Sequence, residues 1–197
     1  DRSIVMTEAM TRISVNRDVK ILDALWAANT SQGENEGTVA NVAFAGGTIN
    51  EADGVFDLQT ITQINAYFDG QYHAQGKRKI CIISATAKQS LIDNSGNTIT
   101  SKDFVDSGEY FKTGKLPNVY GVSFVVHPLI DGYKGTYDDC FVAFCEGSFV
   151  YNQFSALETG LDRSIEMRNQ WILYICEFIN AVRIDDKAIL QGTLGTP

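Results

Sequence analysis

The chain has 197 residues, 44% hydrophobic and 20% charged, which is enough apolar material to bury a core in one domain or two closely joined ones. Its 24 acidic residues against 16 basic ones leave a formal net charge of −8. A phosphate backbone would meet net repulsion, so sequence-specific nucleic-acid binding is disfavoured. No apolar run approaches the roughly 20 residues that cross a bilayer, and the start lacks the charged-then-apolar layout of a signal peptide, so neither a membrane partner nor export is expected.

In chain order, the first element is a helix. Val15, Val19, Leu22 and Trp26 recur at steps that put them on one stripe, no Gly or Pro interrupts residues 2–32, and Arg12, Arg17, Asp18, Lys20 and Asp23 are free to face outward. Residues 29–56 carry Gly33, Gly37, Gly46, Gly47 and Gly54 and read as a mobile loop with one weak strand, Thr38 to Phe44. Asp57 then caps a second helix in which Leu58, Ile61, Ile64 and Phe68 share a face, with Gly70 or Gly76 at its exit. Arg78 to Ile83 predicts a strand buried on both faces, and Ser84 or Thr86 caps a short helix through Ile92.

Residues 93–117 are polar and punctuated by glycine, with Phe104, Tyr110 and Phe111 as anchors. Val119 to Val126 and Cys140 to Phe144 predict two strands separated by the turn-rich Asp131 to Gly135. The last third is β-rich: Phe149 to Phe154, Leu157 to Met167, Trp171 to Ile179 and Val182 to Leu190. This succession belongs to the α+β class. Long late strands together with one long opening helix suggest a sheet lying along a spine, so residues 5–28 should pack against the strands of the last third.

Motifs for chemistry are absent: there is no G-x-S-x-G, G-x-x-x-x-G-K-[ST] or G-x-G-x-x-G. Thr113-Gly114-Lys115 has the end of a phosphate loop without its leading glycine and reads as a turn. His73 and His127, the two histidines, lie in a polar loop and before Pro128 at a strand end, and read as structural or solvated. Cys81, Cys140, Cys145 and Cys176 read as free thiols, mostly buried as small hydrophobes. The Cys140–Cys145 spacing is wrong for a zinc knuckle and, on a strand, points the two sulfurs to opposite faces. Asp138-Asp139 and Asp185-Asp186 read as turn-forming, solvated aspartates, with Glu34 and Glu36 in the mobile loop. Asn29-Thr30-Ser31 fits a glycosylation acceptor by chance composition. No catalytic, cofactor-binding or metal-ligating residue is assigned.

Three stretches in order carry a resemblance: the opening helix from Thr7-Glu8-Ala9-Met10 to Leu25-Trp26-Ala27-Ala28 with Arg17-Asp18 at its centre; Thr113-Gly114-Lys115 leading to Gly121 to Val126; and Ser148 through Leu190 with Asn180 to Lys187 near its close. Together they resemble the C-terminal portion of a tailed-phage major capsid protein of the Hong Kong 97-type fold. The resemblance implies a spine helix and long-stranded P-domain sheet beside a compact α/β A-domain. It would divide the chain into residues 1–28 (end of the spine helix), 29–148 (A-domain) and 149–197 (P-domain strands and C-terminal strand). It also implies that the N-terminal arm and the E-loop hairpin, which carry much of the intersubunit clasp, precede this stretch in a longer protein.

The function so implied is a shell subunit of a tailed phage, prophage or gene-transfer particle, made in the bacterial cytoplasm and ending in the virion. It would assemble with itself into pentamers and hexamers around DNA, with scaffolding, portal and decoration proteins as further partners and no cofactor. Two alternatives stay open at this point. One is an encapsulin-like nanocompartment shell; the other is an unrecognised enzyme using Cys81, His127 or the acid pairs.

Overall fold

The computed structural model describes residues 2–26, 29–33, 39–99, 116, 118–130, 139–155, 158–164 and 170–195. Its elements are helices α1 (Arg2–Trp26), α2 (Leu58–Asp69) and α3 (Ala85–Ile99), and strands β1 (Asn29–Gly33), β2 (Val39–Ala43), β3 (Gly47–Glu51), β4 (Lys79–Ile83), β5 (Val122–Val126), β6 (Asp139–Cys145), β7 (Phe149–Gln153), β8 (Glu158–Ser164), β9 (Gln170–Cys176), β10 (Ile179–Arg183) and β11 (Ile189–Leu194). The fold is mixed helix and sheet, as the α+β reading requires.

A five-stranded sheet in the order β3-β11-β6-β4-β5 forms the body. Its pairings are parallel for β3/β11 and β4/β5 and antiparallel for β11/β6 and β6/β4. The central strand, β6, is buried along its whole length, so successive side chains enter two different cores. Phe141, Ala143 and Cys145 meet α2 and α3 through Ile61, Ile64, Phe68, Ala87 and Leu91. Cys140, Val142 and Phe144 meet the last turns of α1 through Leu22 and Leu25, together with Ile130 and Ile189. At about 1.5–3 kcal/mol for each fully buried large apolar side chain, this two-sided burial makes β6 the energetic axis of the body.

Local chemistry explains the helix ends. Asp57 accepts a hydrogen bond from the Thr60 backbone N–H at 2.9 Å in a reciprocal capping box, and Gly70 closes α2. Ser84 caps α3 by accepting from the Ala87 N–H at 2.9 Å. That helix runs on to Ile99 rather than ending near Ile92. The expected strand from Val119 is shorter: Tyr120 and Gly121, with φ of 50° and 80°, make a tight turn that pairs Val119 with Val122, and β5 starts after it.

Residues 29–56 hold more structure than one weak strand. β1 and β2 form an antiparallel hairpin, and β3 joins the body as an edge strand. Residues 34–38 lie outside the described residues. β3 can approach because Gly47 lies directly beneath the Tyr67 ring, where a side chain would collide.

The late strands form a ribbon. β7 pairs with β10 and β8 with β9, both antiparallel, and the Phe154 N–H donates to the Phe178 carbonyl at 2.8 Å, which continues the β7/β10 register into the junction. Glu177 and Phe178 lie between β9 and β10 and make a two-residue kink at that junction. α1 lies along β10, with further contacts to β7 and β11, as expected of the opening helix against the strands of the last third.

Two expectations about this part are corrected. Among the described residues of α1 the buried ones are Leu22 and Leu25, whereas Val15 is exposed, because it is the last turns of the helix that reach the body. The expected strand Val182 to Leu190 is broken after Arg183. Asp185 accepts from the Lys187 N–H at 3.1 Å and starts a 3₁₀ turn over Asp186–Ala188, which sends β11 back between β3 and β6.

Candidate functional site

The residues with potential for chemistry are dispersed. Cys81 is fully buried in the α2/α3 core, and burial pushes its thiol well above the usual range. His127 stands at the other side of the sheet, beside α1, where its Nε2 is 3.1 Å from Asp18 Oδ2 and its Nδ1 accepts from the Leu129 N–H at 3.2 Å. These contacts suit the neutral ring with its proton on Nε2. His73 is on an exposed 3₁₀ turn, 3.8 Å from Asp185 Oδ2.

Cys140 and Cys145 point to opposite cores, and the four cysteines are free thiols, with Cys176 exposed. Burial also raises the Cys145 thiol, partly opposed by Lys79 and Lys77. Among the described residues no three His, Cys, Asp or Glu side chains gather to hold a metal ion. Asp138, Glu34, Glu36 and Thr113 to Lys115 lie outside the described residues.

Three polar contacts do structural work that the sequence reading missed. Asp139, expected to be solvated, is buried at the mouth of β6. Its Oδ2 accepts from the Ser84 and Thr86 hydroxyls, the latter at 2.6 Å, and its Oδ1 accepts from the Cys140 N–H at 2.8 Å, tying the start of β6 to the cap of α3. Asp186, likewise expected in solvent, pairs with the buried Arg183 at 3.0 Å and accepts from the Ala45 N–H at 3.1 Å, while the Arg183 guanidinium sits 4.8 Å from the Phe44 ring centre. Burial lowers the Arg183 pKa, and Asp186 opposes this only in part.

Arg17, expected to face outward, grips Glu177 with both arms of its guanidinium, at 2.9 and 2.5 Å. This hydrogen bonding raises the Arg17 pKa. The neighbouring side chains Arg17 and Asp18 therefore fasten α1 to the kink of the ribbon on one side and to the end of β5 on the other. An Asp placed directly before the apolar Cys140 to Phe144 run was the available signal for Asp139; no local signal marks Arg17's partner, 160 residues away in sequence.

The most distinctive exposed surface is one face of the ribbon. α1 covers the face that carries Arg183 and Ala181. The opposite face presents Val150, Asn152 and Phe154 on one strand and Val182, Asn180 and Phe178 across from them. Phe154 and Phe178 are cross-strand neighbours with 68% and 67% of their surface exposed.

A family model for phage capsid protein matches residues 1–194. Among solved structures, the chain is similar to the Cyanophage Pam1 capsid asymmetric unit, with 12% identity, a TM-score of 0.68, and coverage of 100% of this chain and 70% of that one. It is also similar to the capsid of Cyanophage P-SCSP1u, with 13% identity, a TM-score of 0.62, and coverage of 100% and 65%. A chain of Mycobacterium phage Che8 matches at 15% identity with a TM-score of 0.58, covering 76% of this chain and 53% of its own. The chain thus spans between 53% and 70% of the length of these structures, and at such identities the likeness speaks for a shared fold. Among curated proteins, no sequence matches the chain.

Proposed function

The chain belongs to the phage capsid protein family, and from that premise we propose that it is the shell subunit of a tailed phage, prophage or gene-transfer particle, assembling with itself into pentamers and hexamers around DNA. The observation that carries this reading is the family match across residues 1–194. The net charge of −8 agrees with it, since packed DNA must move inside a shell rather than adhere to its wall. In the proposed division, residues 1–28 are the end of a spine, 29–148 an A-domain and 149–197 a P-domain, with β11 as the segment that crosses back into the A-domain sheet. Scaffolding, portal and decoration proteins are proposed as further partners.

The role is structural rather than catalytic. An enzyme built on Cys81 and His127 needs both in one cleft, and the first is sealed in the α2/α3 core while the second faces Asp18 beyond the sheet. Electron microscopy of the concentrated protein tests the proposal. Rings or closed shells with five- and six-fold symmetry are expected, and open filaments or a structureless aggregate would refute it.

A further inference from the structure

We propose that the corner joining β3 to α2 is a proton-controlled clasp centred on Glu51. Protonated Glu51 closes the end of the edge strand on β11, and ionised Glu51 loosens it. β3 is held to the sheet by β11 alone. Its last residue, Glu51, pairs with Leu194, and the Glu51 carbonyl accepts from the Gly54 N–H at 3.1 Å and from the Gly195 N–H at 2.9 Å. The strand end, the turn that follows it and the end of β11 therefore meet at one residue.

The surroundings of the Glu51 side chain suit the neutral acid better than the anion. Its Oε1 is sealed from solvent and has no hydrogen-bond partner among the described residues. A buried oxygen that carries charge without a donor is destabilising, and protonation removes that charge. The groups that face it supply no cation. Asp53 in the turn and Asp57 at the start of α2 are acidic, Gln63 and Thr60 on α2 are polar, and Leu194 and Thr193 on β11 are uncharged. Among the described residues no Lys, Arg or His forms an ion pair with Glu51.

Thr60 decides which of the two neighbouring acids gains from a proton. Its single hydroxyl hydrogen goes to Asp57 Oδ1 at 3.2 Å, and its backbone N–H goes to the same oxygen at 2.9 Å. Asp57 thus has two donors at the helix start, and Glu51 is left to take the proton. Burial, then Asp53 and Asp57, raise the Glu51 pKa, with Gln63 and Thr60 opposing in part. The contribution of Glu51 to stability is therefore fully present below the unfolded value of about 4.3 and is lost as pH rises through the folded value. The corner is held more firmly in acid than at neutral pH, and its opening uncovers the backbone of the β11 edge.

The test compares wild type with Glu51→Gln, which keeps the shape and removes the titration. From about pH 4 to about pH 7, the folding equilibrium constant of the variant relative to wild type should rise by at least about threefold in denaturant titrations. Amide hydrogen exchange at Gly195 and Gly54, corrected for its intrinsic pH dependence, should be at least about threefold faster in wild type than in the variant at about pH 7. In an Asp53→Asn background the rise should be smaller, because one of the two neighbouring charges is gone. A ratio that does not change with pH, or a Glu51→Gln chain that is less stable than wild type at about pH 7 or fails to fold, would overturn the proposal and leave the shell reading standing.

Discussion

Leu25→Ala measures how firmly α1 is docked. Leu25 is fully buried and packs with Leu22, Ile130, Cys140, Val142, Phe144 and Ile189 in the core beneath α1. Its own carbonyl accepts a hydrogen bond from Gln191 Nε2 at 2.8 Å, which holds the backbone in place and limits collapse around the hole. Truncation therefore belongs to the range of about 2.7–5 kcal/mol seen for well-packed leucines. A loss of about 3 kcal/mol is roughly a hundredfold in the folding equilibrium and lowers the melting temperature of a chain this size by about 6–12 °C. Val15→Ala, at a residue 42% exposed on the same helix, should stay within about 0.5 kcal/mol. Denaturant titration followed by circular dichroism, with the slope unchanged between variants, reads both numbers. If Leu25→Ala cost less than about 1 kcal/mol, or if Val15→Ala cost as much, the docking of α1 through its last turns would be refuted.

Cys176 should react with a thiol reagent in the folded protein at mildly alkaline pH while Cys81, Cys140 and Cys145 react only after unfolding, so four fast thiols without denaturant would contradict the burial found here. Because folding raises the Cys81 and Cys145 thiols above their unfolded values, stability should be fully present below pH about 8.5 and fall as pH rises from there, when the unfolded chain can ionise and the folded one resists; a stability that rose over that window would have the wrong sign. Gly192→Ala should destabilise by about 1–3 kcal/mol in a thermal melt, because the added methyl lands in the ring of the buried Phe141. Arg17→Ala should destabilise more than Arg12→Ala in paired denaturation curves, since Arg17 leaves a nearly buried Glu177 carboxylate behind whereas Arg12 only loses an exposed partner one helical turn away.

The elements whose cause is local were legible in the sequence. Asp57 and Ser84 announce two helix starts, and the apolar runs within Arg78 to Ile83 and Cys140 to Phe144 announce strands, the first expected to be buried on both faces, because capping and burial patterns need only near neighbours. What stayed hidden depends on distant partners. Val15 fits the apolar stripe as well as Leu22 does, Leu25 lies outside that stripe, and only the path of the ribbon decides which part of α1 meets a core. Asp139 and Asp186 look like surface turn residues until Ser84, Thr86 and Arg183 are brought to them. The exposed Phe154/Phe178 pair was equally invisible, since two aromatics in strand-like segments read as core until the ribbon shows which face α1 covers. β1 escaped because Asn29 to Gly33 has turn composition; its hairpin partner β2 supplies the pairing.

Sedimentation velocity paired with small-angle X-ray scattering over a wide concentration series tests the central claim most directly. In dilute solution the chain should sediment as a monomer with a radius of gyration near the roughly 16 Å of a compact chain of this length, or slightly above it because the spine and ribbon project. On concentration it should pass to five- and six-subunit species or larger closed shells. A two-fold dimer that persists on dilution and grows no further would contradict the account, because its main interface would then be a closed pair and not the contact of a shell.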